Sequence, residues 1–276
     1  MKANARLLFR VGGTVVLFYA AVLVLLAGCQ SQMIYFPTTR SEPAVRREAA
    51  AAGFRPWEAA AGRLIGWRSP GGAGANRLVV FCGNAGMALH RDYFRAGLRA
   101  VGDGQWEVFV MEYPGYGARP GSPGESSFAA AGREALQELE REGSRRVFLL
   151  GESIGSGVAA HLAGEFPDKI SGLVLITPFT SLADAAVYHY PWLPVRLLLR
   201  DRYDNQAALA KFRGPLAVVL AGRDRIVPAA LGRRLAKARK VCYDPRQCRC
   251  RLRSLCAVDS AGWRGDAAPI LLSGSP

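Results

Sequence analysis

Histidine is scarce in this sequence, with three among 276 residues. They are His90, His161 and His189, so any chemistry that needs an imidazole has only these to draw on. Lysine is scarce too: five of the 36 basic residues are Lys and the rest are Arg. Together with abundant Ala and Gly, that bias is the imprint of a GC-rich coding sequence. No C-x2-C pair occurs among the six cysteines, which removes the spacing of common structural zinc sites. No internal repeat or collagen-like period is present. The basic excess, 36 Lys and Arg against 22 Asp and Glu for a net charge of +14, is scattered along the chain. Without an aromatic-studded basic stripe, a helix-turn-helix or an RNA-binding motif, it does not point to nucleic acid. Hydrophobic residues at 50% and charged residues at 21% exclude a disordered chain. The length suits one large core or at most two modest domains.

What is present begins with an address. Lys2, Arg6 and Arg10 stand in a segment without acids, and Val11 to Leu26 is a continuous apolar run. A basic start, an apolar stretch and small residues before a cut site make a secretory signal peptide. A membrane span is the alternative, since the run is near the minimum for crossing a bilayer. Leu26-Ala27-Gly28-Cys29 resembles the bacterial lipobox, in which the cysteine is acylated and becomes the new N-terminus. Residues 1–28 are therefore expected to be a lipoprotein signal peptide, with lipidation at Cys29. Gln30, where an inner-membrane lipoprotein would carry Asp, favours the outer membrane facing the periplasm. Residues 29–55 read as a tether and lead-in.

The body alternates apolar runs with helical stretches. The runs are Leu78–Phe81, Val108–Met111, Val147–Leu150, Leu173–Ile176 and Leu216–Leu220. Apolar on both faces, they suit strands buried on both sides in a parallel sheet. Helices are expected over about Ala88–Val101, Glu125–Glu142, Ile154–Phe166 and Ala229–Lys240, giving an α/β fold with helices on both faces. The aromatic and Pro-rich stretch at 181–211 reads as a lid, with packing on the sheet edge as its other role.

Chemistry gathers just after strand ends, where open α/β sheets place ligands. Gly151-Glu152-Ser153-Ile154-Gly155 matches G-x-S-x-G, a tight strand-to-helix turn that projects a serine hydroxyl. Ser153 is the candidate nucleophile. The N–H of Ile154 and a donor from the Asn84-Ala85 loop are the candidate oxyanion hole, one such donor being worth about 3–4 kcal/mol of barrier. Asp224, 71 residues after Ser153, stands in the order of a Ser–Asp–His triad.

These residues resemble the α/β-hydrolase superfamily, and within it the membrane-associated group of bacterial lipoprotein hydrolases and eukaryotic depalmitoylases. The matching pieces are GNAG at 83–86 with His90-Arg91, EYPGYG at 112–117, GESIGSG at 151–157, TPFTSLADA at 177–185 and AGRDRIVP at 221–228. The resemblance covers roughly Met33 to Lys240, so residues 56–240 are expected to be the hydrolase domain. It implies a serine hydrolase acting on an ester, thioester or amide through an acyl-enzyme, with a small-molecule or acylated substrate. It implies no metal and no organic cofactor, and the chain is expected to be a monomer held to the membrane by its lipid anchor. One departure is Cys82, where the family usually has His before GNAG.

A second departure is larger. The family's triad His follows the Asp, and no histidine follows Asp224. His161 lies about two turns along the helix after Ser153 and reads as a packed helix residue. His90 matches the family's non-triad His, and His189 lies in the lid. After Lys240 the composition shifts to Cys and Arg, four of the six cysteines falling at Cys242, Cys248, Cys250 and Cys256. An out-of-frame reading of GC-rich DNA near codon 240 gives such a tail; a disulfide-bearing or zinc-binding tail is the rival. No strand followed by Gly-His is legible there, so the sheet edge is expected to stay open. A non-catalytic pseudohydrolase that binds an acyl ligand or an envelope partner is the alternative to the enzyme.

Overall fold

The computed structural model describes residues 2–60, 62–101, 105–221, 224–239 and 267–273. Most of the atypical tail expected at 241–276, with all four of its cysteines, lies outside the described residues.

The chain opens with α1 (Lys2–Ile34), of which Phe9–Ile34 has a mean hydropathy of 2.3 and is long and apolar enough to cross a membrane. A signal sequence would have the same character. The segment read as a lead-in then makes two regular pieces. β1 (Phe36–Pro37) is a short strand, and α2 (Glu42–Ala51) buries Val45 and Ala49.

The main sheet contains β2 (Arg55–Glu58), β3 (Leu64–Arg68), β4 (Asn76–Phe81), β6 (Trp106–Met111), β7 (Val147–Glu152), β8 (Ile170–Ile176), β9 (Leu216–Ala221) and β10 (Ala267–Ser273). Its order is β10-β9-β8-β7-β4-β6-β3-β2. The pairs β6–β4, β4–β7, β7–β8 and β8–β9 are parallel, and these five strands are the five apolar runs of the sequence. Side chains from Leu78 to Phe81 and from Val108 to Met111 are all buried, as strands covered on both faces require. β2 and β3 extend one side antiparallel.

The expectation of an open edge is corrected at the other side. β10 pairs antiparallel with β9, from Ser273↔Leu216 to Ala267↔Ala221. The register shifts between Ala267 and Ile270, where Pro269 interrupts the run. A proline that cannot donate to a ladder is tolerated on an edge strand or at a bulge. The strand hides in the sequence for that reason.

Helices cover the sheet. α3 (Tyr93–Val101), α4 (Glu125–Arg141), α5 (Ile154–Glu165) and α9 (Ala229–Ala238) follow β5, β6, β7 and β9, where β5 (Ala85–Gly86) is a two-residue strand beside β1. α4 buries Phe128, Ala131, Ala135 and Leu139, one stripe at helical spacing. The buried Arg77 of β4 closes one of its last carbonyls, donating to Leu139 O at 2.5 Å, and also donates to Gly143 O just beyond the helix at 3.0 Å. α5 is buried almost all round, and its small residues let neighbours approach closely. A Cβ on Gly164 would stand 2.4 Å from the Ala208 carbonyl.

The 181–211 stretch divides into α6 (Leu182–His189), α7 (Val195–Leu198) and α8 (Asn205–Lys211). Ser181 caps α6 by accepting from Asp184 N at 3.1 Å, and Asp204 caps α8 by accepting from Ala207 N at 2.9 Å. α8 lies flush on α5. The part that projects as a cap is therefore α6, α7 and the loops beside them.

Candidate functional site

Ser153 stands between β7 and α5 with φ 53° and ψ −118°. Few L residues adopt that conformation, and it costs on the order of 1–3 kcal/mol. The surroundings hold it. Ser153 N donates to Ile176 O at 2.9 Å, and Ser156 N donates to Ser153 O at 2.9 Å. The two flanking glycines are required by contact. A Cβ on Gly151 would meet Gly155 O at 2.4 Å, and a Cβ on Gly155 would meet Phe81 O at 2.2 Å. Ser153 itself is half-buried, so its hydroxyl is reachable.

The loop after β4 faces it. A Cβ on Gly83 would lie 3.7 Å from the Ser153 Cβ. The carbonyl of Asn84 is gripped by two donors, Phe36 N at 2.9 Å and the Tyr116 hydroxyl at 2.7 Å. The Asn84 side chain donates to Ile34 O at 2.9 Å, and the Cys82 carbonyl accepts from the Tyr113 hydroxyl at 3.0 Å. β1 and β5 pair in parallel, Phe36↔Ala85 and Pro37↔Gly86. The Asn84 side chain is thus committed to holding the loop, and only backbone N–H groups remain as oxyanion donors. Because the peptide is trans, the Ala85 N–H points opposite to the gripped Asn84 carbonyl, away from β1. The N–H groups of Asn84 and Ile154 meet no acceptor among the described residues.

Charge around the turn is set by Glu152 and Arg91. Arg91 holds Glu152 with two hydrogen bonds, Nε to Oε2 at 2.5 Å and Nη2 to Oε1 at 3.2 Å. This bidentate pair ties the 3-10 turn at Ala88–Arg91 to the residue preceding Ser153. No spacing in the sequence announces the pairing, although both residues fall within the hydrolase-like motifs. Burial raises the Cys82 thiol well above its usual range, so it is an uncharged apolar neighbour in this wall. Deeper, the fully buried Glu112 accepts from Ala88 N at 2.9 Å and Trp67 Nε1 at 3.2 Å. Burial pushes its carboxyl up to about 7, against the pull of those two donors.

Asp224 follows β9 and is half-buried. Its Oδ1 accepts from Ile226 N and Val227 N, both at 2.8 Å. Among the described residues, Oδ2 has no hydrogen-bond partner and no ion pair joins Asp224 to Arg225.

None of the three histidines hydrogen-bonds Ser153 or Asp224. His90 is exposed, and its Nδ1 accepts from Met87 N at 3.4 Å. His161 is not packed in the interior, contrary to the expectation. It lies on the outer face of α5, with Nε2 3.1 Å from both Glu165 and Arg133. His189 ends α6 and donates from Nε2 to Ile226 O at 2.8 Å. Among the described residues no cluster of His, Cys, Asp and Glu could hold a metal ion.

A Gly-cornered serine turn at the end of a parallel strand, a backbone loop opposite it and an aspartate after a later strand stand where the α/β-hydrolase fold gathers its candidate site. The family model for the alpha/beta hydrolase fold matches residues 76–211. An uncharacterized protein of Mycobacterium tuberculosis, Rv2307c, is 37% identical over 231 residues, covering 81% of this chain and 80% of that one. The mouse lysophosphatidylserine lipase ABHD12 is 25% identical over 199 residues, covering 65% of this chain and 49% of the lipase. In fold, the chain is similar to an esterase of Pyrococcus furiosus, at a TM-score of 0.53 and 16% identity over 75% of this chain and 83% of the esterase. The chain belongs to the α/β-hydrolase family.

Proposed function

We propose that this chain is a membrane-held serine hydrolase that cleaves an ester, thioester or amide of an acyl group. The observation that carries this reading is Ser153 in its strained turn, at the N-terminus of α5 and opposite a loop whose backbone is fixed by hydrogen bonds. The names of the lipase and the esterase among its relatives agree with an acyl substrate.

In this reading Ser153 Oγ attacks the acyl carbonyl and loses its proton to a base. The tetrahedral oxyanion is held by the N–H of Ile154 and by the N–H of Asn84 or Ala85, aided by the α5 N-terminus. Collapse releases the alcohol, thiol or amine with a proton, and leaves an acyl-Ser153 ester. Water then repeats the sequence and frees the carboxylic acid. Asp224 orients the base through Oδ2 and stabilises it when charged. Acylation at Cys29, exposed on α1, would keep the enzyme on a bacterial envelope membrane. Each buried methylene of the anchor adds about 0.8 kcal/mol.

A second reading is favoured by one observation: no histidine touches Ser153 or Asp224, and none follows Asp224. A pseudohydrolase would keep the turn and the loop as an acyl-binding cradle without turnover.

Fluorophosphonate labelling of the full chain and of Ser153→Ala separates the two. Labelling that Ser153→Ala abolishes supports the hydrolase. A folded chain that does not label supports the pseudohydrolase.

A further inference from the structure

The cap carries large apolar side chains into solvent. Trp192 is 63% exposed, Leu197 85% and Ile226 77%, with Tyr188 and Tyr190 beside them. Monomeric soluble proteins rarely leave such a run uncovered. His189 links the two parts of this edge, since its ring bonds Ile226 on the Asp224 loop.

The N-terminal helix is attached to this same edge. The Tyr19 hydroxyl donates to Trp192 O at 3.1 Å. Gln30, 8% exposed, accepts from Arg200 N at 2.8 Å through Oε1 and donates to Leu198 O at 3.4 Å. Just past the helix, the Tyr35 hydroxyl donates to Asp201 Oδ2 at 2.6 Å and lies 2.9 Å from the Tyr203 hydroxyl. The helix window that is apolar enough to span a bilayer is otherwise 0% buried. From Tyr19 to Gln30 is eleven residues, or about 16 Å along the axis. The cap therefore runs beside the apolar helix over roughly half the thickness of a hydrocarbon core.

The geometry points to the cap edge, from Tyr188 to Leu197 with Ile226, as a surface that docks into the lipid bilayer. Whatever surrounds α1 surrounds the cap side chains hydrogen-bonded to it. Trp and Tyr are the residues that favour the membrane–water interface, and the arginines among them, Arg200 foremost, complement anionic headgroups. With the helix uncleaved both contacts hold the cap beside it; in a chain that begins at an acylated Cys29 the Tyr19 contact is gone and the Gln30 grip remains. Gln30 adjoins Cys29 and grips the cap in either form. The loop of Asp224 is thereby brought to the lipid surface, so an amphiphilic substrate would reach the site from the leaflet.

The test needs no catalysis, so it stands apart from the hydrolase reading. The full chain carrying Trp263→Phe is reconstituted into phosphatidylglycerol and phosphatidylcholine vesicles with brominated acyl chains, and its emission is compared with that in unbrominated vesicles. The remaining fluorophores are Trp192 and the buried Trp57, Trp67 and Trp106. Bromolipid is expected to quench the blue-shifted Trp192 emission, and Trp192→Phe is expected to abolish the quenching. In Leu197→Asp quenching should fall, since a carboxylate resists burial in the acyl region. Emission unaffected by bromolipid in chains that sediment with the vesicles would overturn the proposal and leave the edge to water or a protein partner. Quenching as strong in Leu197→Asp as in its parent would overturn it as well.

Discussion

His189 donates its Nε2 proton to the carbonyl of Ile226 at 2.8 Å, and the N–H of the same Ile226 is held by Asp224 Oδ1 at 2.8 Å. One residue thus joins a cap histidine to the aspartate of the site. The bond fixes the tautomer, because a carbonyl only accepts, and leaves Nδ1 of a neutral ring as an acceptor. Of the three histidines, His189 is the one that hydrogen-bonds the loop of Asp224. In the hydrolase reading this ring must leave Ile226 O to give its N–H to Asp224 Oδ2 and take the Ser153 proton on Nδ1, and His189→Gln then slows fluorophosphonate labelling by about 10²–10⁴-fold, the usual worth of a positioned base. His161→Gln, on the outer face of α5, should label at the parent rate. Equal rates in both variants would remove His189 from the chemistry.

Asp224 does two jobs that substitution can separate. Its Oδ1 holds two backbone N–H groups, and in the proposed hydrolase its charge serves a base. Asp224→Asn keeps an acceptor oxygen and should unfold at the same urea midpoint as the parent while labelling far more slowly. Asp224→Ala should lose labelling and about 1–2 kcal/mol of stability, from two unmade hydrogen bonds on a half-buried loop. A labelling rate unchanged in Asp224→Asn would contradict the triad role.

The glycines of the serine turn are fixed by backbone, which cannot move aside. Gly155→Ala puts a methyl 2.2 Å from Phe81 O and 2.5 Å from Cys82 O. It should destabilise the chain by about 3 kcal/mol or more, or prevent folding. Gly97→Ala in α3 meets nothing within 4 Å and should stabilise by up to about 1 kcal/mol through helix propensity. Chemical denaturation of the pair, side by side, checks both signs.

Glu112 makes stability depend on pH. Its carboxyl is raised from 4.5 to about 7 in the folded chain. The folded state therefore binds a proton that the unfolded state releases. The contribution is fully present below about pH 4.5 and is lost as pH rises through about 7, on the order of 3 kcal/mol in total. Glu112→Gln, neutral throughout, should flatten that part of the profile between pH 5 and 8 in urea melts. A slope unchanged by the substitution would assign the effect elsewhere.

The five parallel strands were legible because burial on both faces writes itself as unbroken apolar runs. Ser153 was legible because its turn demands glycines on both sides. The rest was hidden by brevity or distance. β2 has four residues and includes Pro56, too few for a period to show. β10 contains Pro269, which argues against a strand unless the strand lies at an edge. The ladder between Phe36 and Ala85 is two residues long and joins segments about fifty positions apart, so no local pattern announces it. The histidine expected after Asp224 is absent from the sequence itself. Translating the coding DNA beyond codon 240 in its other two frames should reveal a strand followed by Gly-His; absence from both frames would discard the frameshift explanation.

The grip of Phe36 and Ile34 on Asn84 decides where the chain can be cut. A fragment made by removing everything before residue 38 would take away the Phe36 and Ile34 partners of the Asn84 loop together with the apolar helix. In the hydrolase reading such a fragment should be folded yet label slowly, its Asn84-Ala85 loop no longer held by Phe36 and Ile34. If the proposed hydrolase is held to a membrane through α1, a cut that frees it with this loop intact falls upstream of Ile34. The apolar helix thus ends in the scaffolding of the candidate site itself, not in a spacer beside it.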